Sequence, residues 1–241
     1  MLPLAKKGHI QSQNALGILY SRSKKFDEAI KLLLPLAEKN QIQPINALGI
    51  LYRDRKEYDE AINWFKKAIK LGNVTSHIEL GILYRQIKKY DEAVKWLLPL
   101  ALKNNVFAQN ELALTYRYWG EERYKVVDVE KIKLSKDWYL KAIALDDQNI
   151  QSCDGLAKVL ILLEDYKEAK KWLKKGLLIN PADSRILKRL VNLLFYNFKD
   201  IDEASMYLSK LSKTKVNQDY IDKMDKRIKI IEARNANKRY M

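Results

Sequence analysis

Side chains that do covalent or metal chemistry are scarce in this 241-residue sequence. There are two histidines, His9 and His77, and one cysteine, Cys153. A metal site or a nucleophile–base constellation needs several such groups converging, and the histidines stand far apart in the chain. His9 reads as a polar loop residue, His77 as a histidine on a helix face, and Cys153 as a small buried hydrophobe. No glycine-rich phosphate loop and no metal-spaced cluster is present, so neither cofactor nor metal is expected and the chain reads as non-enzymatic. The carboxylate pairs Asp27–Glu28, Asp59–Glu60 and Asp91–Glu92 recur at one spacing. That recurrence suits helix starts, where the macrodipole favours negative charge, better than a general acid/base pair. Trp64, Trp96, Trp138 and Trp172 recur in the same way and are expected to pack. What remains for recognition is three rows: Asn14, Asn46, Ile78 and Asn110; Ile18, Ile50, Ile82 and Leu114; and Ser21, Arg53, Arg85 and Arg117, with Arg22 beside the first.

These rows exist because the chain repeats. Leu16-Gly17-Ile18-Leu19-Tyr20 returns as Leu48-Gly49-Ile50-Leu51-Tyr52 and Leu80-Gly81-Ile82-Leu83-Tyr84, a step of 32 shared by the Asp-Glu-Ala series. A degenerate fourth copy follows with Leu112, Ala113 and Tyr116, and Ala169 and Ala204 mark two more units. Within the second unit, Ala47, Leu48, Leu51 and Tyr52, and then Ala61, Ile62, Phe65, Ala68 and Ile69, each follow a helical period on either side of a polar break. Each unit is therefore a helix–turn–helix. Positions 14, 18 and 21 share one face of the first helix. A mid-helix glycine costs about 1 kcal/mol relative to alanine, so Gly17, Gly49 and Gly81 imply close approach of the paired helix, with Ala29, Ala61 and Ala93 expected opposite.

Leu-Gly-x-x-Tyr, then Ala nine residues on, then a large apolar residue, resembles the tetratricopeptide repeat. Gly155 to Pro181 is the nearest match, ending in Leu178-Ile179-Asn180-Pro181. The fourth unit, with Ala108-Gln109-x-x-Leu112-Ala113-x-x-Tyr116 and Lys136 to Ala142, is similar to the related Sel-like repeat, whose inter-helix loop is longer. The resemblance implies an all-α, right-handed α-solenoid of about six helix-turn-helix repeats plus a C-terminal capping helix. The units are placed at 11–41, 42–73, 74–105, 106–148 with an inserted loop over 120–131, 149–183 and 184–216, with a cap over 217–237. Met1 to Ala5 copies Leu33 to Ala37, so residues 1–10 read as a partial repeat, and an upstream segment stays open. A 32-residue step, against the family's usual 34, calls for shorter connections.

In this family the first helices line the concave face. The expected partner-binding residues are accordingly Asn14, Ile18, Arg22, Asn46, Ile50, Arg53, Ile82, Arg85, Asn110, Leu114 and Arg117. Amides would pair with a peptide backbone, aliphatics would hold side chains, and guanidiniums would grip carboxylates in bidentate fashion. The competing reading makes the aliphatics gap-fillers and pairs the arginines with Asp54, Glu79 and Glu111. Some family members clamp a terminal carboxylate with Lys and Asn. Here Asn14, Ile18, Ala47, Thr75 and Glu79 stand at the corresponding places, so no such clamp is expected.

The 45 Lys and Arg exceed the 30 Asp and Glu by 15, which draws attention to acidic partners. Much of the surplus sits on second helices, as at Lys66–Lys67, Lys170–Lys171 and Lys174–Lys175, and in the last 57 residues. The expected function is a protein-binding scaffold or adaptor in a bacterial cytoplasm. Its partner would be another protein or peptide, acidic if the charge surplus is used. Two alternatives stay open: an immunity-type protein that sequesters a toxin, and a basic RNA-binding solenoid. No apolar run reaches the ~20 residues a membrane span requires.

Overall fold

The 32-residue step divides into two equal halves. In the structure, a computed structural model describing residues 10–121, 127–214 and 218–238 (side chains to 233), six helices of 13 residues follow one another. They are α1 (Ile10–Arg22), α2 (Phe26–Glu38), α3 (Ile42–Asp54), α4 (Tyr58–Lys70), α5 (Val74–Gln86) and α6 (Tyr90–Leu102). Each is joined to the next by three residues, the middle one left-handed: Lys24, Asn40, Lys56, Gly72, Lys88 and Asn104, with φ between 57° and 87°. One turn type thus makes both the connection inside a repeat and the connection between repeats. The short step follows from these equal helices and minimal turns.

Beyond residue 105 the regularity loosens. Here α7 (Val106–Glu121) has 16 residues and α8 (Val129–Leu145) has 17. They are followed by α9 (Ile150–Leu162), α10 (Tyr166–Ile179), α11 (Ser184–Asn192), a π-helical turn at Leu193–Phe198, α12 (Ile201–Ser212) and α13 (Gln218–Lys238). Helix enters the loop expected over 120–131 from both ends: α7 runs through Glu121, and α8 begins at Val129, where Asp128 caps it by accepting from the Lys131 N–H at 3.2 Å. Residues 122–126 lie outside the described residues, as do residues 1–9 of the partial repeat expected over 1–10, His9 among them, and residue 217 at the start of the expected cap. The fold is an all-α solenoid of stacked helix pairs, with no strand among the described residues. Its contacts form two compact units, 1–115 and 116–241, the boundary falling within α7.

Helix starts explain much of the polar sequence. Asn73, Asn149, Asp165, Asp183 and Asp200 each accept a backbone N–H from the first turn they precede. That satisfies donors the helix itself leaves orphaned. In α2, α4 and α6 no side chain caps the start, and the Asp-Glu pairs lie in the first turn instead, where the dipole stabilises them.

The core is built from repeated residues. Ala29, Leu33, Ala61, Phe65, Ala93 and Leu97 have no exposed surface, and each buried Leu or Phe contributes about 1.5–3 kcal/mol. The glycines serve these large residues rather than the alanines expected opposite them. A Cβ on Gly17 would stand 2.6 Å from Leu33, one on Gly49 2.5 Å from the Phe65 ring, and one on Gly81 2.5 Å from Leu97. The reason is register: the side chain that reaches furthest across the helix pair needs the hole.

The basic surplus is partly ordered by stacking. Lysines three residues after an aromatic on a second helix lie over its ring: Lys67 over Trp64 (5.4 Å), Lys141 over Trp138 (4.2 Å), Lys175 over Trp172 (5.1 Å) and Lys210 over Tyr207 (5.0 Å). Such contacts are worth about 0.5–1 kcal/mol at exposed sites. In the second unit, Glu203 of α12 accepts from Lys170 and, at 2.7 Å, Lys174 of α10. Burial alone would raise its pKa, but the two ammonium hydrogen bonds outweigh burial and hold it below the usual range. A depressed carboxylate stabilises the fold above its unfolded pKa of about 4.3 and loses that contribution as pH falls through the lower folded value. The urea midpoint of Glu203→Gln should therefore lie below that of the wild type at pH 7, with the gap closing toward pH 3. A gap that stays constant with pH would contradict this.

Candidate functional site

Within the first unit, α1, α3 and the start of α5 lie side by side and enclose an open groove of about 780 Å³. Five of the residues expected from the sequence meet there: Asn14, Ile18 and Arg22 from α1, and Asn46 and Ile50 from α3. Leu33 contributes to the wall from the paired helix. Ile42, Gln43, Asn73, Val74 and Thr75 come from the helix starts and the turn before α5. Apart from Arg22 and Asp54, the walls are uncharged. They mix amides and hydroxyls with aliphatic surface.

Two polar groups in this wall differ in how they are satisfied. The Asn46 Oδ1 accepts from the Ser76 Oγ at 2.8 Å. The Asn14 Oδ1 is buried and meets no donor among the described residues. A buried acceptor left unmatched costs about 1–3 kcal/mol.

The other expected residues do not line the groove. The Arg53 guanidinium donates to Glu79 of the next first helix and lies 3.4 Å from Asp54, and Arg85 repeats the arrangement with Glu111 at 2.7 Å. These are the partners of the competing reading. The four side chains are only 14–20% exposed, which keeps the attraction less screened than at a surface. Arg117, in the second unit, is buried, bonded to Glu121 at 2.7 and 2.9 Å and placed 4.3 Å over the Tyr118 ring. Asn110 is buried, while Ile82 and Leu114 are half-buried on their helices. Arg53 and Arg85 are thus ion-paired rungs between successive first helices, whereas Arg117 pairs within its own helix.

Sequence reasoning missed Ile42 and Val74. A signal was present: the first residue of a first helix is apolar in successive units, at Ile10, Ile42 and Val74, and each is at least 37% exposed. The residues that looked chemical have structural surroundings. Cys153 is fully buried and burial pushes its thiol pKa up, the reverse of what a nucleophile needs. His77 lies 5.9 Å from the Trp96 ring. No group of three His, Cys, Asp or Glu that could hold a metal occurs among the described residues, and none of the described helices is long and apolar enough to cross a membrane.

Residues 44–72 and 150–183 match family models of the tetratricopeptide repeat. No curated protein matches the chain. Among solved structures, the chain is similar to PilF of Pseudomonas aeruginosa, at 19% identity with a TM-score of 0.66, covering 85% of this chain and 90% of that one. A thermophilic TPR protein of Thermus thermophilus superposes with a TM-score of 0.60 at 16% identity, over 79% of this chain and all of its own. A chain of the APC/C hetero-tetramer Cut9–Hcn1 gives 0.66 at 16% identity, covering 91% of this chain and 42% of that one. At these identities the likeness is one of fold.

Proposed function

We propose that this array of tetratricopeptide repeats is a non-enzymatic protein-interaction scaffold that holds a polypeptide segment in the groove of its first unit. The observation that carries the reading is the chemistry of the groove wall. Asn14 presents a buried acceptor with no donor among the described residues, beside Ile18, Ile50 and Val74. A peptide supplies both halves of the match, backbone N–H groups for the amide and side chains for the aliphatic surface. A nucleic acid would need a row of available cations. The arginines that would form it are paired with Glu79 and Glu111, and Arg22 is the sole cation among the described groove walls. For the same reason the segment bound here is uncharged or weakly charged rather than acidic. A cytoplasmic adaptor is the cellular role that fits this reading.

A photo-activated cross-linking residue at Ile50 tests it. Irradiation of cells carrying that variant should yield a discrete protein adduct that Asn14→Ala and Asn46→Ala together diminish. An adduct removed by ribonuclease, or none above the level seen with the cross-linker at exposed Lys39, would overturn the reading.

A further inference from the structure

A second groove, of about 740 Å³, lies in the second unit, lined mainly from the second helices of two successive repeats and the turn between those repeats. Its floor is apolar: Leu177 and Leu178 at the end of α10, Pro181 and Ala182 in the turn, and Leu187 of α11. Leu178 is 84% exposed, the highest value among the described large hydrophobic residues. A leucine so exposed beside a concave apolar floor gains nothing for the fold of this unit, and the groove falls within the size range of ligand sites. Its rim is cationic. Lys174, Lys210 and Lys213 line it together with Tyr207, and no carboxylate among the described residues does.

The nearest acid cannot neutralise this rim. Glu203 is shared between Lys170 and Lys174, so one carboxylate already faces two ammonium groups. Lys210 stands over the Tyr207 ring, and Lys213 makes no ion pair among the described residues. Charge complementarity then fixes the character of the occupant. We propose that this groove is a docking site for a partner protein segment that carries an aliphatic or aromatic anchor flanked by Asp or Glu. The anchor covers Leu178 and enters between Leu177, Pro181 and Leu187, while the flanking carboxylates meet Lys210 and Lys213. This site takes the acidic partner that the overall charge calls for and that the uncharged groove of the first unit does not suit. It stands independently of that groove.

The test uses the full chain and a labelled short peptide with a central Leu-Leu-Phe flanked on both sides by Glu, read by fluorescence anisotropy. Binding should saturate, and Leu178→Ser, at a residue too exposed to affect folding, should weaken it about fivefold. The pair Lys210→Glu and Lys213→Glu should weaken it about tenfold or more, and a Lys-flanked version of the peptide should bind that pair better than it binds the wild type. The pair Lys39→Glu and Lys103→Glu, on the first unit, changes net charge equally and should leave the affinity within about twofold. Equal losses for the two pairs would reduce the binding to general charge and overturn the proposal, as would indifference to Leu178→Ser. Vesicles of phosphatidylcholine and phosphatidylserine serve as the remaining arm. Loss of vesicle binding in Leu178→Ser, with peptide binding unchanged, would assign the surface to a lipid headgroup layer instead.

Discussion

Gly49→Ala destabilises the first unit by about 1–3 kcal/mol, the usual cost of forcing a methyl into a filled core, and loses most of that effect when Phe65 is absent. The added Cβ would lie 2.5 Å from two carbons of the Phe65 ring, and the ring has no exposed surface to retreat toward. Phe65→Ala by itself costs about 3–5 kcal/mol through lost burial and the cavity left behind. In the double variant the new methyl enters that cavity, so the two losses are not additive and the coupling equals most of the glycine penalty. Urea midpoints for the four proteins, followed by circular dichroism, measure the cycle. Additive losses would mean that the glycine answers to backbone conformation and that the Phe65 ring does not fill the hole at Gly49. The effect should spread, since α4 packs against α3 and α5 and a weakened repeat loosens both neighbouring interfaces.

Pro99→Ala acts in the opposite direction and raises stability by up to about 3 kcal/mol. Pro99 lies inside α6 and its side chain is exposed. Its ring removes the N–H that the Lys95 carbonyl would accept, and little packing is lost with it. The equivalent place in α4 carries Lys67, whose ammonium bonds the Ala37 carbonyl at 3.2 Å, so the repeat accepts an ordinary helix former there. Pro35 in α2 is the matching case, and the gains from the two sites should add because they share no partner. A thermal midpoint unchanged or lowered in Pro99→Ala would show that proline carries no net cost at this place in the helix. Nothing in the structure explains why proline stands at these two places.

Much of this was legible in the residues themselves. The 32-residue recurrence and the helical periods placed the helices of the regular units, because a repeat buries equivalent faces at equivalent positions. The left-handed turns were less visible: lysine or asparagine occupies five of the first six turn centres, so the glycine that usually flags such a turn is present just at Gly72. The π-helical turn at Leu193–Phe198 carried no such flag. At the candidate site, Asn14, Ile18, Asn46 and Ile50 were found from their shared face. Ile42 and Val74 escaped because helix ends look like solvent in a periodic reading.

The sequence by itself determined the repeat and the helix pairs, since these depend on residue type and local spacing. Tertiary structure alone decided what each member of a row of equivalent residues touches. Asn14 and Asn46 occupy one repeat position, yet Asn46 bonds Ser76 while the Asn14 oxygen has no donor among the described residues. Arg53 and Arg85 looked available until Glu79 and Glu111, each 26 residues further on, closed over them. Pairing across repeats depends on how the helices stack, and a spacing along the chain carries no record of which side chain reaches its neighbour first.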